Sequence, residues 1–151
     1  ETYHDYPSYT GSYRRALETA QKNISEKGGF SLILDIHRDA LLNESGEYMK
    51  TMATINGEEM AQALLVIGTN GGGLEHPDWK NNLKTALNLQ KIMKEKYPPL
   101  ARDLHLCNER YNGHMGDGAM IIEIGSNGNT LPQAIKCARL VGECIVSLIK
   151  N

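Results

Sequence analysis

Apolar residues recur along this chain in two rhythms. Tyr13, Ala16, Leu17, Ala20 and Ile24 repeat every three or four positions, which predicts a helix halted by Gly28-Gly29. Phe30, Leu32, Ile33 and Leu34 follow as a short apolar run of β-leaning composition, the mark of a buried strand. Lys50 to Ile55 and Met60 to Ile67 predict two more strands, joined by a turn at Asn56-Gly57. Helical spacing returns at Leu83, Ala86, Leu87 and Met93, opening near Asp78 and ending before Pro98 and Pro99. Leu104 to Leu106 form a short candidate strand, and the stretch AMIIEIGSNGNT a stronger one that ends in polar residues. In TLPQ, Thr130 and Gln133 stand three apart as a capping box. The helix they open is expected to bury Leu131, Ile135, Ala138, Val141 and Ile145.

Helices alternating with apolar strands predict an α/β three-layer domain. Strands buried on both faces usually belong to parallel sheets, whose ligand sites lie beyond the carboxyl ends of the strands. Two polar, glycine-rich stretches, TNGGGLEHPD and NERYNGHMGDG, are expected as loops. At 151 residues the chain suits one domain with a real core.

Bulk composition narrows the partners. The chain is 40% hydrophobic and 23% charged, ordinary for a globular protein. Its 16 basic and 18 acidic residues leave a net charge of −2, no footprint for nucleic acid or anionic lipid. No apolar stretch is long enough to span a bilayer, and no signal peptide is visible. Cys137 and Cys144 are seven apart on one expected helix, roughly 10 Å between Cα atoms and too far to bridge. With Cys107 they read as free thiols rather than a zinc-finger pattern.

Glu123 is the sharpest chemical signal. It stands between Ile121, Ile122 and Ile124, where an uncompensated carboxylate costs several kcal/mol of desolvation. Such a group is protonated, paired with a cation, or held for function. A structural ion pair with Arg38 or Arg110 and a catalytic role stand level. His37, in SLILDIHRDA, follows another apolar run, as Glu123 does on its own strand. On neighbouring strands, imidazole and carboxylate would suit metal-assisted hydrolysis, with the carboxylate as proton acceptor. Among the other histidines, His4 is a candidate for orienting a neighbour, His76 and His114 are expected in solvated loops, and His105 on an edge strand. Asn112, Asn127 and Asn129 are candidates for binding substrate amides, although turn chemistry alone accounts for asparagine there.

Taken together, HDYPSY, DIHRDA, TINGEEMAQALLVIGTN, RYN and IIEIGSNGNTLPQA resemble the stage II sporulation protein P family of endospore-forming bacteria, over nearly the whole chain and in the expected order. These are zinc-dependent N-acetylmuramoyl-L-alanine amidases. The resemblance implies an amidase-like fold, a central mostly parallel sheet flanked by helices, over residues 1–151 as a single catalytic domain without its N-terminal part. It implies Zn2+ as cofactor, His37 as a zinc ligand and Glu123 as the catalytic carboxylate, with the remaining ligands upstream. Arg38, Arg110, Asn112, Asn127 and Asn129 are then expected to contact substrate. The implied work is cleavage of peptidoglycan between N-acetylmuramic acid and L-alanine, with cross-link cleavage besides, during septum thinning and engulfment. Implied partners are stage II sporulation proteins D and M, and the expected location is extracytoplasmic, at the septum, with the anchor outside this chain. The alternative is a non-catalytic module that grips peptidoglycan or a partner through an incomplete zinc site. Family members tend to have glutamine after RYN, where this chain has Gly113 and then His114.

Overall fold

The computed structural model describes residues 3–150; residues 1, 2 and 151, the ends of the expected domain, lie outside the described residues. The elements are α1 (Ser12–Lys27), β1 (Ile33–Asp39), β2 (Met52–Ile55), β3 (Glu58–Ala61), β4 (Ala63–Gly68), α2 (Trp79–Lys96), β5 (His105–Cys107), a 3-10 turn (Gly113–Met115), β6 (Ala119–Ser126) and α3 (Leu131–Lys150). The main sheet has four strands in the order β1-β6-β4-β5, and β2 and β3 form a separate hairpin. β1 runs parallel to β6, and β4 parallel to β5, while β4 and β6 are antiparallel. The fold is therefore α/β with a mixed sheet, as the alternation of elements requires.

The local stop and start signals act as expected. Gly28 and Gly29 both take positive φ, and both amides return to the Ile24 carbonyl at 3.1 Å, closing α1. The hairpin turns at Asn56 and Gly57, both at positive φ, which its tight geometry demands. The capping box forms: the Gln133 side chain accepts from the Thr130 amide at 3.0 Å, and Thr130 Oγ1 accepts from the Gln133 amide at 3.4 Å.

Three expectations are corrected. The apolar run expected to start at Phe30 becomes a strand only from Ile33, and Phe30 is exposed. The run Met60 to Ile67 is two strands: β3 pairs with β2, the chain breaks at Gln62, and β4 enters the main sheet. An apolar pattern marks extended chain but does not say which strand it pairs with. On α3 the buried stripe is Ala134, Cys137, Val141 and Cys144, while Leu131 and Ile135 face outward. The helix carries apolar residues on two faces, and the stripe of smaller side chains lets its backbone lie closer to the sheet. Cys137 and Cys144 are buried free thiols in that stripe.

The core lies between the sheet and the α2/α3 layer, around Leu65, Ile67, Leu89, Met93 and Ile122. The opposite face is thinner. There Leu64, Val66 and Ile121 pack with Cys107 and Tyr111, and no residue of α1 is fully buried. That thin cover leaves polar groups on this face within reach of solvent.

Asn129 ties the end of β6 to the segment that enters β2. Its Oδ1 accepts from the Ser126 amide at 2.9 Å and the Thr51 amide at 3.3 Å, and its Nδ2 donates to the Thr51 carbonyl at 3.0 Å. Asn129→Ala strips buried groups of their partners and is expected to cost ~1–3 kcal/mol. Urea unfolding of Asn129→Ala beside the exposed-site control Asn127→Ala, expected within about 0.5 kcal/mol of wild type, checks this.

Candidate active site

Side chains alternate across a strand, so Asp35, His37 and Asp39 share one face of β1 while Ile36 and Arg38 take the other. On β6, Ile121 and Glu123 lie on the same face as these acids, above the thin layer. The parallel register sets His37 directly opposite Glu123. Both lie inside their strands, two and three residues before the ends, not just beyond them. His37 Nε2 is 3.1 Å from Asp35 Oδ1. The Tyr13 ring of α1 lies 6.2 Å from the His37 ring and 5.5 Å from that of Tyr111. Asn112 holds Tyr13 in place by donating to its carbonyl at 2.8 Å.

Glu123 has neither of its expected ion-pair partners. Arg38 donates to the Ser126 and Asn129 carbonyls from the other face, and Arg110 to the Glu75 carbonyl at 3.0 Å. Glu123 Oε2 is buried without a hydrogen-bond partner. Nearby Arg102 is taken by Asp39 at 2.6 Å. The Glu123 carboxyl is held above the ordinary glutamate value first by burial, against an opposing pull from His37. His37 is raised chiefly by its hydrogen bond to Asp35, with burial opposing and the charges of Asp35 and Glu123 assisting.

These shifts have a sign that can be measured. A carboxyl raised on folding holds its proton longer than in the unfolded chain, so its stabilising contribution is complete below the ordinary value of 4.5 and is lost as pH rises through the folded value. His37 acts in the same direction, from 6.5 upward. In the metal-free chain, Glu123→Gln removes the cost of ionisation. Its melting temperature should therefore exceed that of wild type at neutral pH, with the gap closing towards pH 4. A gap that is flat or widens on acidification would contradict the burial of this carboxyl.

The remaining candidates separate from this pair. Asn129 has both amide atoms engaged within the chain, and Asn112 spends its amide nitrogen on Tyr13. Asn127 is exposed beyond β6, with its backbone amide on the Asp39 carbonyl at 2.8 Å. His105 is exposed on β5, an edge strand. His4 Nε2 lies 2.9 Å from Thr19 Oγ1. His76, expected in solvent, is only 2% exposed. Its ring fills the space beside Gly113, where a Cβ would approach Cε1 to 2.9 Å. His114 joins His76 and Arg110 around a separate cavity of about 300 Å³. Burial lowers both imidazoles, favouring the neutral forms. Asp35, Tyr13 and Tyr111 are site neighbours that motif reading passed over. Only Asp35 carried a signal, its spacing of two from His37 on a strand.

The family model described as stage II sporulation protein P matches residues 1–146. The chain belongs to the stage II sporulation protein P family. It is similar to stage II sporulation protein P of Bacillus subtilis (strain 168), 27% identical over 141 residues, which cover 90% of this chain and 33% of that protein. The chain thus spans about a third of the length of this curated relative of the stage II sporulation protein P family. No solved structure matches.

The zinc that the family resemblance implies does not fit these residues alone. A catalytic zinc takes three protein ligands and leaves one position for water. Among the described residues, no three His, Cys, Asp or Glu side chains are grouped to hold a metal ion. His37 is one imidazole with Asp35 on its Nε2, and His114 stands with His76 and Arg110 rather than with Glu123.

Proposed function

We propose that this chain carries the proton-transferring half of a peptidoglycan amidase acting in sporulation. Its bond is the one between N-acetylmuramic acid and L-alanine of the stem peptide, and its setting is septum thinning during engulfment. The observation that carries the reading is Glu123, half-buried, with its Oε2 enclosed and without a hydrogen-bond partner, in register with His37 on the thinly covered face of the sheet. A buried carboxylate with a raised affinity for protons suits general base catalysis near neutral pH. Glu123 takes a proton from water as the oxygen attacks the lactamide carbonyl, then delivers it to the departing alanine nitrogen. In the metal-free chain the charge of His37 opposes the rise in the Glu123 pKa, a part that a cation held on neutral His37 would take over in the longer protein.

Zinc belongs to this proposal only for a longer protein, extended towards the length of the curated relative, because among the described residues no three donors are grouped. Septal location and the sporulation partners D and M are likewise proposed for that protein. The incomplete donor set also favours a second reading, a module that grips peptidoglycan without cutting it. Incubating the longer protein with purified peptidoglycan and measuring newly exposed N-terminal alanine tests the first reading. New N-terminal alanine supports the amidase. Retention on the polymer with no new N-terminal alanine favours the module. Metal analysis of the 151-residue chain is expected to give well under one zinc per chain, because one imidazole binds weakly. Stoichiometric zinc lost on His37→Ala would overturn that expectation.

A further inference from the structure

We propose that the loop ahead of α1 binds uncharged N-acetylated sugar rings on the faces of Tyr3, Tyr6 and Tyr9. This rests on the cell-wall reading above and assigns the sugar part of that substrate to a particular surface. The three tyrosines stand three residues apart and are 69, 76 and 74% exposed. The loop beneath them is anchored. The Arg15 guanidinium donates to the carbonyls of His4 at 2.6 Å, Ser8 at 2.5 Å and Thr10 at 3.3 Å, and His4 is bonded in turn to Thr19. Rings carried on a loop held in this way lose little entropy when a ligand settles on them.

A groove of about 460 Å³ runs from this loop to β1, with Asp5, Tyr9, Tyr13, Asp35 and His37 among its walls. That volume lies within the usual range for small-molecule clefts, ~300–1,000 Å³. Tyr9 thus shares a groove with His37, while Tyr3 and Tyr6 line a smaller neighbouring groove that meets it at Asp5.

Charge selects the ligand. Neither this groove nor the smaller one between Tyr3, Asp5 and Tyr6 is lined by lysine or arginine. Nucleic acid and other phosphate polymers need cations along their track. A neutral sugar presents hydroxyls that donate to carboxylates such as Asp5 and Asp35. Its C–H face, weakly positive, stacks on the negative face of an aromatic ring.

The test uses the 151-residue chain and two uncharged probes, a tetramer and a hexamer of N-acetylglucosamine. Saturable binding to both is expected. Tyr6→Ala and Tyr9→Ala should each raise Kd by about tenfold, a loss of the order of one aromatic stacking contact. Tyr9→Leu, which keeps an apolar side chain but no ring, should weaken binding similarly. Tyr48→Ala, at an equally exposed tyrosine outside both grooves, should leave Kd unchanged. Thermal melts confirm that each variant is folded. Absence of saturable binding, unchanged Kd in the tyrosine variants, or preference for polyphosphate over neutral glycan would overturn the proposal. Binding of the N-acetylglucosamine oligomers, with no new N-terminal alanine exposed on peptidoglycan by the longer protein, would instead count against the amidase and leave this surface standing.

Discussion

In the longer protein, Glu123→Gln is expected to slow the exposure of N-terminal alanine on peptidoglycan by about 10²–10⁴-fold, the usual cost of losing a general acid–base group. The substitution nearly preserves shape, and glutamine still hydrogen-bonds, but it can neither accept the water proton nor return it to the amine. The variant should fold, because Glu123 makes no ion pair that folding depends on and its Oε2 has no partner to strand. Glu123→Asp separates chemistry from position: it restores a carboxylate but withdraws it by one methylene, so its activity should fall between wild type and Glu123→Gln. An undiminished rate for Glu123→Gln would remove Glu123 from the mechanism. Failure to fold would mark it as a structural group.

The second large effect concerns stability. Ile122 is central on β6, flanked by Ile36 of β1 and Leu65 of β4, and is 0% exposed against the α2/α3 layer. Ile122→Ala leaves a cavity that rigid neighbours close only in part, at an expected ~2–5 kcal/mol. Against a typical total of about 5–15 kcal/mol, that is a large share of the stability of the whole domain. Ile135→Ala removes the same atoms from the outward face of α3, where the side chain is 43% exposed, and is expected to change stability by under about 0.5 kcal/mol. Equal losses in chemical unfolding would mean that α3 buries the other stripe. Because Ile122 precedes Glu123, the destabilised variant should also lose activity through displacement of the carboxylate, an effect that mild osmolyte stabilisation would partly reverse.

The local elements were legible in the amino-acid sequence because their causes are local. Gly28-Gly29 ends α1, Asn56-Gly57 turns the hairpin, and Thr130 with Gln133 opens α3, each through backbone conformations or hydrogen bonds within a few residues. The oddity of Glu123 was legible too, since a carboxylate among isoleucines is costly wherever the strand is placed.

Other features depended on neighbours distant in the chain. The apolar pattern from Met60 to Ile67 could not say that Gln62 divides two sheets. Two apolar stripes on α3 were equally periodic, and close packing against the sheet chose Ala134, Cys137, Val141 and Cys144. His76 and His114 looked alike as loop residues, yet the contact between the two loops buried one ring beside Gly113. The sequence by itself therefore determined the kinds of elements, their limits and the presence of one carboxylate that demands an explanation. Only the tertiary structure decided that β1 and β6 pair in the register that brings His37 to Glu123, and that Arg38 and Arg110 turn away from it. The physical reason is that strand pairing and side-chain facing are set by contacts across the sheet, between residues whose separation in the chain carries no trace of the pairing.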